Sequence, residues 1–298
     1  MRAAGMRRLS LCVVGLSMVA FVSAVSVSAQ DAKTAASAKP NTGKKPYRVY
    51  FIGHSLYSVN NVPSAVQFMS EAGTVDRPIQ VSSYNIGGGT HQTYWNTPEV
   101  LKRLHEEDWD MVIIAGNLND MTNPKKVDLE YARKLDTEAK KRSGRVLEYV
   151  AWPWYVQVSG GDTMFEQRMK AQEAFNQSFL QLAKETGVTL VPCGPGLVNV
   201  IRKDLTFMDE FHYGDIHVSA PGSYFTACVI FAEIYNKSPE GLPSNFHEYN
   251  IDKEKARILQ VTAWETVQEW QKIQAANAGV TGKPPALGAV PVPSPKAQ

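Results

Sequence analysis

The sequence predicts an α/β protein with a mostly parallel sheet covered by helices on both faces. Between Pro46 and Ala276, short β-rich runs alternate with longer stretches in which apolar residues recur at helical spacing. One of those runs, Met111 to Ala115, is apolar at every position, as a strand buried on both sides requires. With 298 residues, 44% of them hydrophobic, the chain can build a large core, and no internal linker or repeat divides it.

Each element follows from local chemistry. Tyr47 to Gly53 is rich in β-branched and aromatic residues and is stopped by glycine; Val62 to Ala72 then shows helical spacing with Pro63 near its start. Ile79 to Tyr84 reads as a second strand entering Gly87-Gly88-Gly89, Pro98 to Glu106 as a helix, and Met111 to Ala115 as the third strand. Val127 to Arg142 is a charged amphipathic helix whose acids and bases read as a solvated face. Val146 to Trp152 reads as strand, Met164 to Thr186 as a long helix and Val188 to Val191 as strand. Pro221 to Tyr235 reads as a mostly buried helix, and Asp252 to Ala275 as a closing amphipathic one.

The ends differ in composition. A basic start, MRAAGMRR, precedes the uncharged apolar run Leu9 to Ala24 and the small residues Val27-Ser28-Ala29, the pattern of a secretory signal peptide over residues 1–29. The apolar run is shorter than the roughly 20 residues of a bilayer span, so the expectation is export to the periplasm or beyond, with no membrane span after cleavage. Residues 30–45 and 277–298 are poor in large apolar side chains and are expected to be disordered, leaving 46–276 as the folded domain. Cleavage would remove Cys12 and leave Cys228 in a predicted helix and Cys193 in a predicted loop.

Composition also excludes classes of function. Lys and Arg number 31 against 29 Asp and Glu, for a net charge of +2 without long basic blocks, which argues against a nucleic-acid surface. Three cysteines without a CxxC spacing support neither a disulfide framework nor structural zinc. His54, His91, His212 and His217 contain no i, i+4 pair of the kind a helical zinc site uses. The triple glycine lacks both the Gly-Lys-Ser/Thr ending and the G-x-G-x-x-G order of phosphate cradles. No metal or cofactor is therefore expected.

The informative residues lie where strands end, because ligands of open α/β sheets bind beyond the strands' carboxyl ends. There the chain delivers Gly53-His54-Ser55-Leu56, then Asn85 to His91 through the three glycines, then Gly116-Asn117-Leu118-Asn119-Asp120, and finally His212 to His217. Taken singly, Ser55 suits a helix cap, Gly88 a turn, Asn119 a loop and His217 a structural histidine. Their joint order supplies a nucleophile, backbone and amide donors, and a base, the inventory of acyl transfer.

These blocks resemble the SGNH (GDSL-like) hydrolase superfamily: Gly-x-Ser-Leu after the first strand, glycine after the second, Asn-Asp after the third, and a His followed by Val-Ser-Ala-Pro-Gly-Ser-Tyr. The resemblance covers essentially the whole core and implies a three-layer α/β/α flavodoxin-like fold. It implies Ser55 as nucleophile and His217 as base. The Ser55 and Gly88 amides and the Asn119 side chain would form the oxyanion hole, with Asn117 as understudy to Asn119 and Gly87 or Gly89 as alternatives to Gly88. Two departures stand out. Gly116 is displaced by one from the family's Gly-x-Asn-Asp, and the residue three before His217 is Gly214, where the family has Asp. Asp215, two before His217, shares its side in an extended segment. The acid partner is thus Asp215, another acid such as Asp209, or none.

Trp95, Trp152, Trp154 and Tyr155 fall in or beside loops on this edge and are candidates either for packing or for stacking a sugar ring. Together the resemblance, the export signal and the aromatics imply a serine esterase acting on a small ester or an acylated carbohydrate, by hydrolysis or transfer of the acyl group. The competing reading is a non-catalytic carbohydrate-binding protein on the same fold.

Overall fold

In the computed structural model, which describes residues 44–73, 75–116, 127–152, 164–204, 206–211 and 217–279, five strands form one sheet. They are β1 (Tyr47–Gly53), β2 (Ile79–Asn85), β3 (Trp109–Ile114), β4 (Ser143–Tyr149) and β5 (Thr189–Val191). Every pairing is parallel, in the order β2-β1-β3-β4-β5. The helices are α1 (Ser55–Ser58), α2 (Val62–Ala72), α3 (His91–Trp95), α4 (Pro98–Glu106), α5 (Val127–Lys140), α6 (Met164–Thr186), α7 (Cys193–Lys203), α8 (Phe207–Glu210), α9 (Ala220–Tyr235) and α10 (Lys253–Asn277). A small antiparallel hairpin, β6 (Asn245–Phe246) and β7 (Tyr249–Asn250), precedes α10.

The sheet divides the apolar residues by the two-residue period of its strands. Val49, Phe51, Met111, Ile113, Leu147 and Tyr149 face one side, where they meet α2, α7, α9 and α10. Tyr50, Ile52, Val112, Ile114 and Val146 face the other, against α3, α4, α5 and α6. Each face is thus sealed by helices, which gives the three-layer α/β/α architecture. Helix α9 explains its own position: residues 222–234 are buried all round, so it runs through the thick layer rather than over its surface. Truncating a fully buried aromatic such as Phe51 to alanine costs about 3–5 kcal/mol in cores of this kind.

Several local expectations are corrected. Cys193 does not lie in a loop; it opens α7, and Cys193 and Cys228 are both buried free thiols. Strand β4 begins at Ser143 and ends at Tyr149, so Trp152 lies beyond it. The expected solvated face of α5 contains an exception, Asp136, which is fully buried. The short helices α3 and α8 and the β6–β7 hairpin were not marked by the periodicity. Signal-peptide residues 1–29, most of the 30–45 linker and the tail from 280 onward lie outside the described residues. Of the linker, Lys44 pairs with Asp76, and the Lys45 carbonyl accepts from Arg77. Among the described residues no helix is long and apolar enough to cross a membrane.

Candidate active site

With β1 central and β2 and β3 on either side of it, the chain reverses direction across the sheet between β1 and β3. A ligand crevice is expected at their carboxyl ends. Ser55 lies there, half-buried, in the first position of α1. The turn that puts it there depends on Gly53: a Cβ at that position would sit 2.3 Å from the Tyr57 ring, so glycine lets α1 fold back over the strand end. The helix cap is His54 rather than Ser55. Its Nδ1 accepts from the Leu56 amide at 3.4 Å, and the Tyr57 and Ser58 amides donate to its carbonyl.

The other ring nitrogen of His54 lies 3.3 Å from the Gly116 carbonyl. An imidazole that accepts at Nδ1 and faces a carbonyl at Nε2 must carry its proton on Nε2. His54 is thereby a neutral strut between the ends of β1 and β3. Burial pushes its pKa down to about 4, with the charges of His91 and His217 adding to the depression and the Gly116 bond opposing it.

His217 is half-buried and sits just before Val218, whose carbonyl accepts from Asn60 Nδ2 at 3.1 Å. The Ser219 amide donates to the Phe211 carbonyl at 2.8 Å, and its hydroxyl donates to the Glu210 carbonyl. The segment after the histidine is therefore anchored on both sides.

The glycine loop closes the corner from the β2 side. The Gly89 amide donates to the Ile86 carbonyl at 2.9 Å, and Gly88 sits at φ 65, a left-handed conformation that glycine adopts without steric cost. The Tyr94 hydroxyl lies within hydrogen-bond distance of the Gly89 and Ala115 carbonyls, tying this loop to the end of β3.

Behind the loop is a cluster the sequence reading missed. His91 is fully buried, and its Nε2 lies 3.3 Å from both carboxylate oxygens of Glu148. The ring packs so closely on Gly116 that a Cβ there would fall 2.0 Å from Cε1. Asp136 of α5 faces the same Glu148, and burial together with that neighbouring charge pushes its carboxyl well up. Signals for both acids existed: Glu148 interrupts an apolar strand, and Asp136 falls on the stripe of Leu129, Ala132 and Ala139.

The remaining expected residues separate. Trp95 is partly buried against the α3–α6 layer. Trp152 is 3% exposed and packs edge-on against Tyr149, so it sits in the core and presents no open face for a sugar. Asp209 falls in α8. Asn117, Asn119, Asp215, Trp154 and Tyr155 lie outside the described residues.

Comparison with known proteins agrees with this architecture. A DUF4886 family protein from Bacteroides uniformis superposes with a TM-score of 0.57 at 16% identity, covering 80% of this chain and 98% of that one. A candidate SGNH hydrolase from Slackia heliotrinireducens superposes with a TM-score of 0.50 at 20% identity, covering 63% of this chain and 98% of that one. An acetylxylan esterase from Geobacillus stearothermophilus gives 0.45 at 17% identity, over 62% of this chain and 92% of its own. No family model matches the sequence, and no curated protein matches it. The fold is that of the SGNH hydrolases.

Proposed function

We propose that the protein is an exported serine esterase that removes or transfers a small acyl group, such as an acetyl on a carbohydrate. Ser55 attacks the ester carbonyl, and His217 takes the hydroxyl proton and returns it to the leaving alcohol. The Ser55 and Gly88 amides with the Asn119 side chain stabilise the tetrahedral oxyanion, and Asp215 orients the imidazole. The observation that carries this reading is the joining of two distant segments at one corner: Ser55 after β1, and the His217 segment bonded to Asn60 just beyond Ser55. The state of His54 supports it further. With both ring nitrogens engaged and its pKa near 4, that residue is unsuited to accept a proton at neutral pH, which leaves the base role to His217. Proton transfer requires Ser55 and His217 to be at hydrogen-bond distance in the substrate complex.

A serine-directed phosphonate probe tests the assignment. Labelling of Ser55, with hydrolysis of short-chain aryl esters or acetylated sugars, is the expected result. A folded sample that neither labels nor hydrolyses would instead favour the non-catalytic carbohydrate-binding reading.

A further inference from the structure

We propose that Asn60 is a positioning residue that holds His217 in place against Ser55, an inference resting on the serine-esterase reading above. Directly after α1 the chain makes a tight turn in which two adjacent non-glycine residues are left-handed, Asn60 at φ 56 and Asn61 at φ 45. Asparagine tolerates that region better than most residues, yet two in succession cost free energy that surrounding contacts must offset. Asn61 spends its side chain locally, accepting from the Ser64 amide at the start of α2. The side chain of Asn60 reaches instead across the fold.

Its Nδ2 donates to the Val218 carbonyl at 3.1 Å and to Ser223 Oγ at 2.9 Å. Its own carbonyl accepts the Tyr249 hydroxyl of β7 at 2.5 Å. These three contacts span sequence separations of 158, 163 and 189 residues, so one side chain and one peptide group join the nucleophile turn, the base segment and the hairpin. Val218 is the neighbour of His217, and Asn60 is five residues from Ser55. The left-handed turn aims the amide at the segment carrying the base, and the Tyr249 bond locks the turn in that conformation. A primary amide suits the task because its NH₂ has two protons, one for each acceptor.

The test compares Asn60→Gly, which suits a left-handed backbone but deletes the amide, with Asn60→Asp, which keeps the shape but sets a carboxylate oxygen against the Val218 carbonyl. Both should lower kcat about 10- to 100-fold with KM within about twofold, the consequence of misplacing a catalytic group by a fraction of an ångström to an ångström. The melting temperature of Asn60→Gly should stay near wild type. Tyr249→Phe, which frees the turn and keeps the Asn60 amide, should lower kcat by a smaller factor. A merely structural Asn60 would instead lower the melting temperature and leave kcat of the folded fraction unchanged, which would overturn the proposal. If neither Asn60 variant folds, Tyr249→Phe and Ser223→Ala supply the reading, and wild-type kcat in both overturns it. Wild-type protein and His217→Ala run alongside with the phosphonate probe. Labelled wild type and dead His217→Ala, together with fully active Asn60→Gly, defeat the positioning role alone. Unlabelled wild type defeats the esterase reading and this role with it.

Discussion

His54 and His91 are both buried histidines at the same sheet edge, on either side of Gly116, and the fold holds them in opposite ways. His54 touches backbone alone through its ring nitrogens and stays neutral. His91 faces a buried carboxylate, and that carboxylate has a second acid beside it. Among the described residues, the ends of β1 and β3 beside Ser55 are thus tied by uncharged hydrogen bonds of His54, while the neighbouring corner buries several ionisable groups in an otherwise apolar layer. Burying such groups rarely maximises stability, since well-packed apolar side chains usually do as well. The difference teaches that the same residue type, buried one layer apart, can serve as an uncharged strut between strand ends or as the partner of a buried acid under the glycine loop and the end of β3.

The sharpest way to break this contrast is to remove the proposed nucleophile. Ser55→Ala should leave folding intact, because the helix cap belongs to His54, while kcat falls ~10⁴-fold or more. Turnover within about tenfold of wild type would mean that the chemistry does not happen at Ser55. The charged corner should respond in the reverse sense. Glu148→Ala strips the fully buried His91 of its carboxylate partner and should cost about 1–3 kcal/mol of stability in denaturant unfolding, the cost of a buried polar group left unsatisfied. Glu148→Gln keeps an acceptor oxygen and should recover much of that loss. Equal stability of Glu148→Ala and wild type would show that the pair is not holding the loop.

The two corners also predict distinct behaviour in acid. His54 is neutral in the folded protein, with a pKa near 4, whereas the unfolded chain binds its proton from about 6.5 downward. Its contribution is fully present above pH 6.5 and is lost as pH falls towards 4, a change of about 3 kcal/mol at roughly 1.4 kcal/mol per pH unit. Unfolding free energies measured between pH 7 and pH 4 should show this slope in wild type, and His54→Gln should flatten it. An unchanged slope in the variant would mean that the acid sensitivity originates elsewhere.

Much of the fold was legible because its signals are local. Strand β1 ends at a glycine, α2 starts beside Pro63, and both were placed residue for residue by those markers. Helix α7 was not, because Gly194-Pro195-Gly196 in its first turn reads as a loop. The structure shows what those glycines are for. A Cβ on Gly194 would fall 2.1 Å from the Ala151 carbonyl, and one on Gly196 would fall 2.7 Å from the Phe225 ring. They permit close packing, which depends on partners far away in sequence. The site divides the same way. Ser55, Gly88 and His217 are candidates by residue type and order alone, while the cap role of His54, the reach of Asn60 and the pairing of His91 with Glu148 exist only once distant segments meet.

The smallest expected effect is the most specific probe of the charged corner. Asp136 is pushed up by burial and by Glu148, so it holds its proton in the folded protein at pH values where the unfolded chain has released it. The sign is therefore opposite to that of His54. Its contribution is complete below the usual aspartate value of 3.8 and is lost as pH rises towards the folded value. Asp136→Asn replaces the protonated acid by a neutral side chain of nearly the same shape, which removes that loss. The variant should melt above wild type at pH 7, and the gap should close as pH falls below 4. Burial also raises Glu233 to about 7 against the opposing pull of Arg145, but Glu233 is present in both proteins and cancels in the difference. A variant that melts below wild type at pH 7 would mean that Asp136 works as an anion, two negative charges then lying side by side in the second corner.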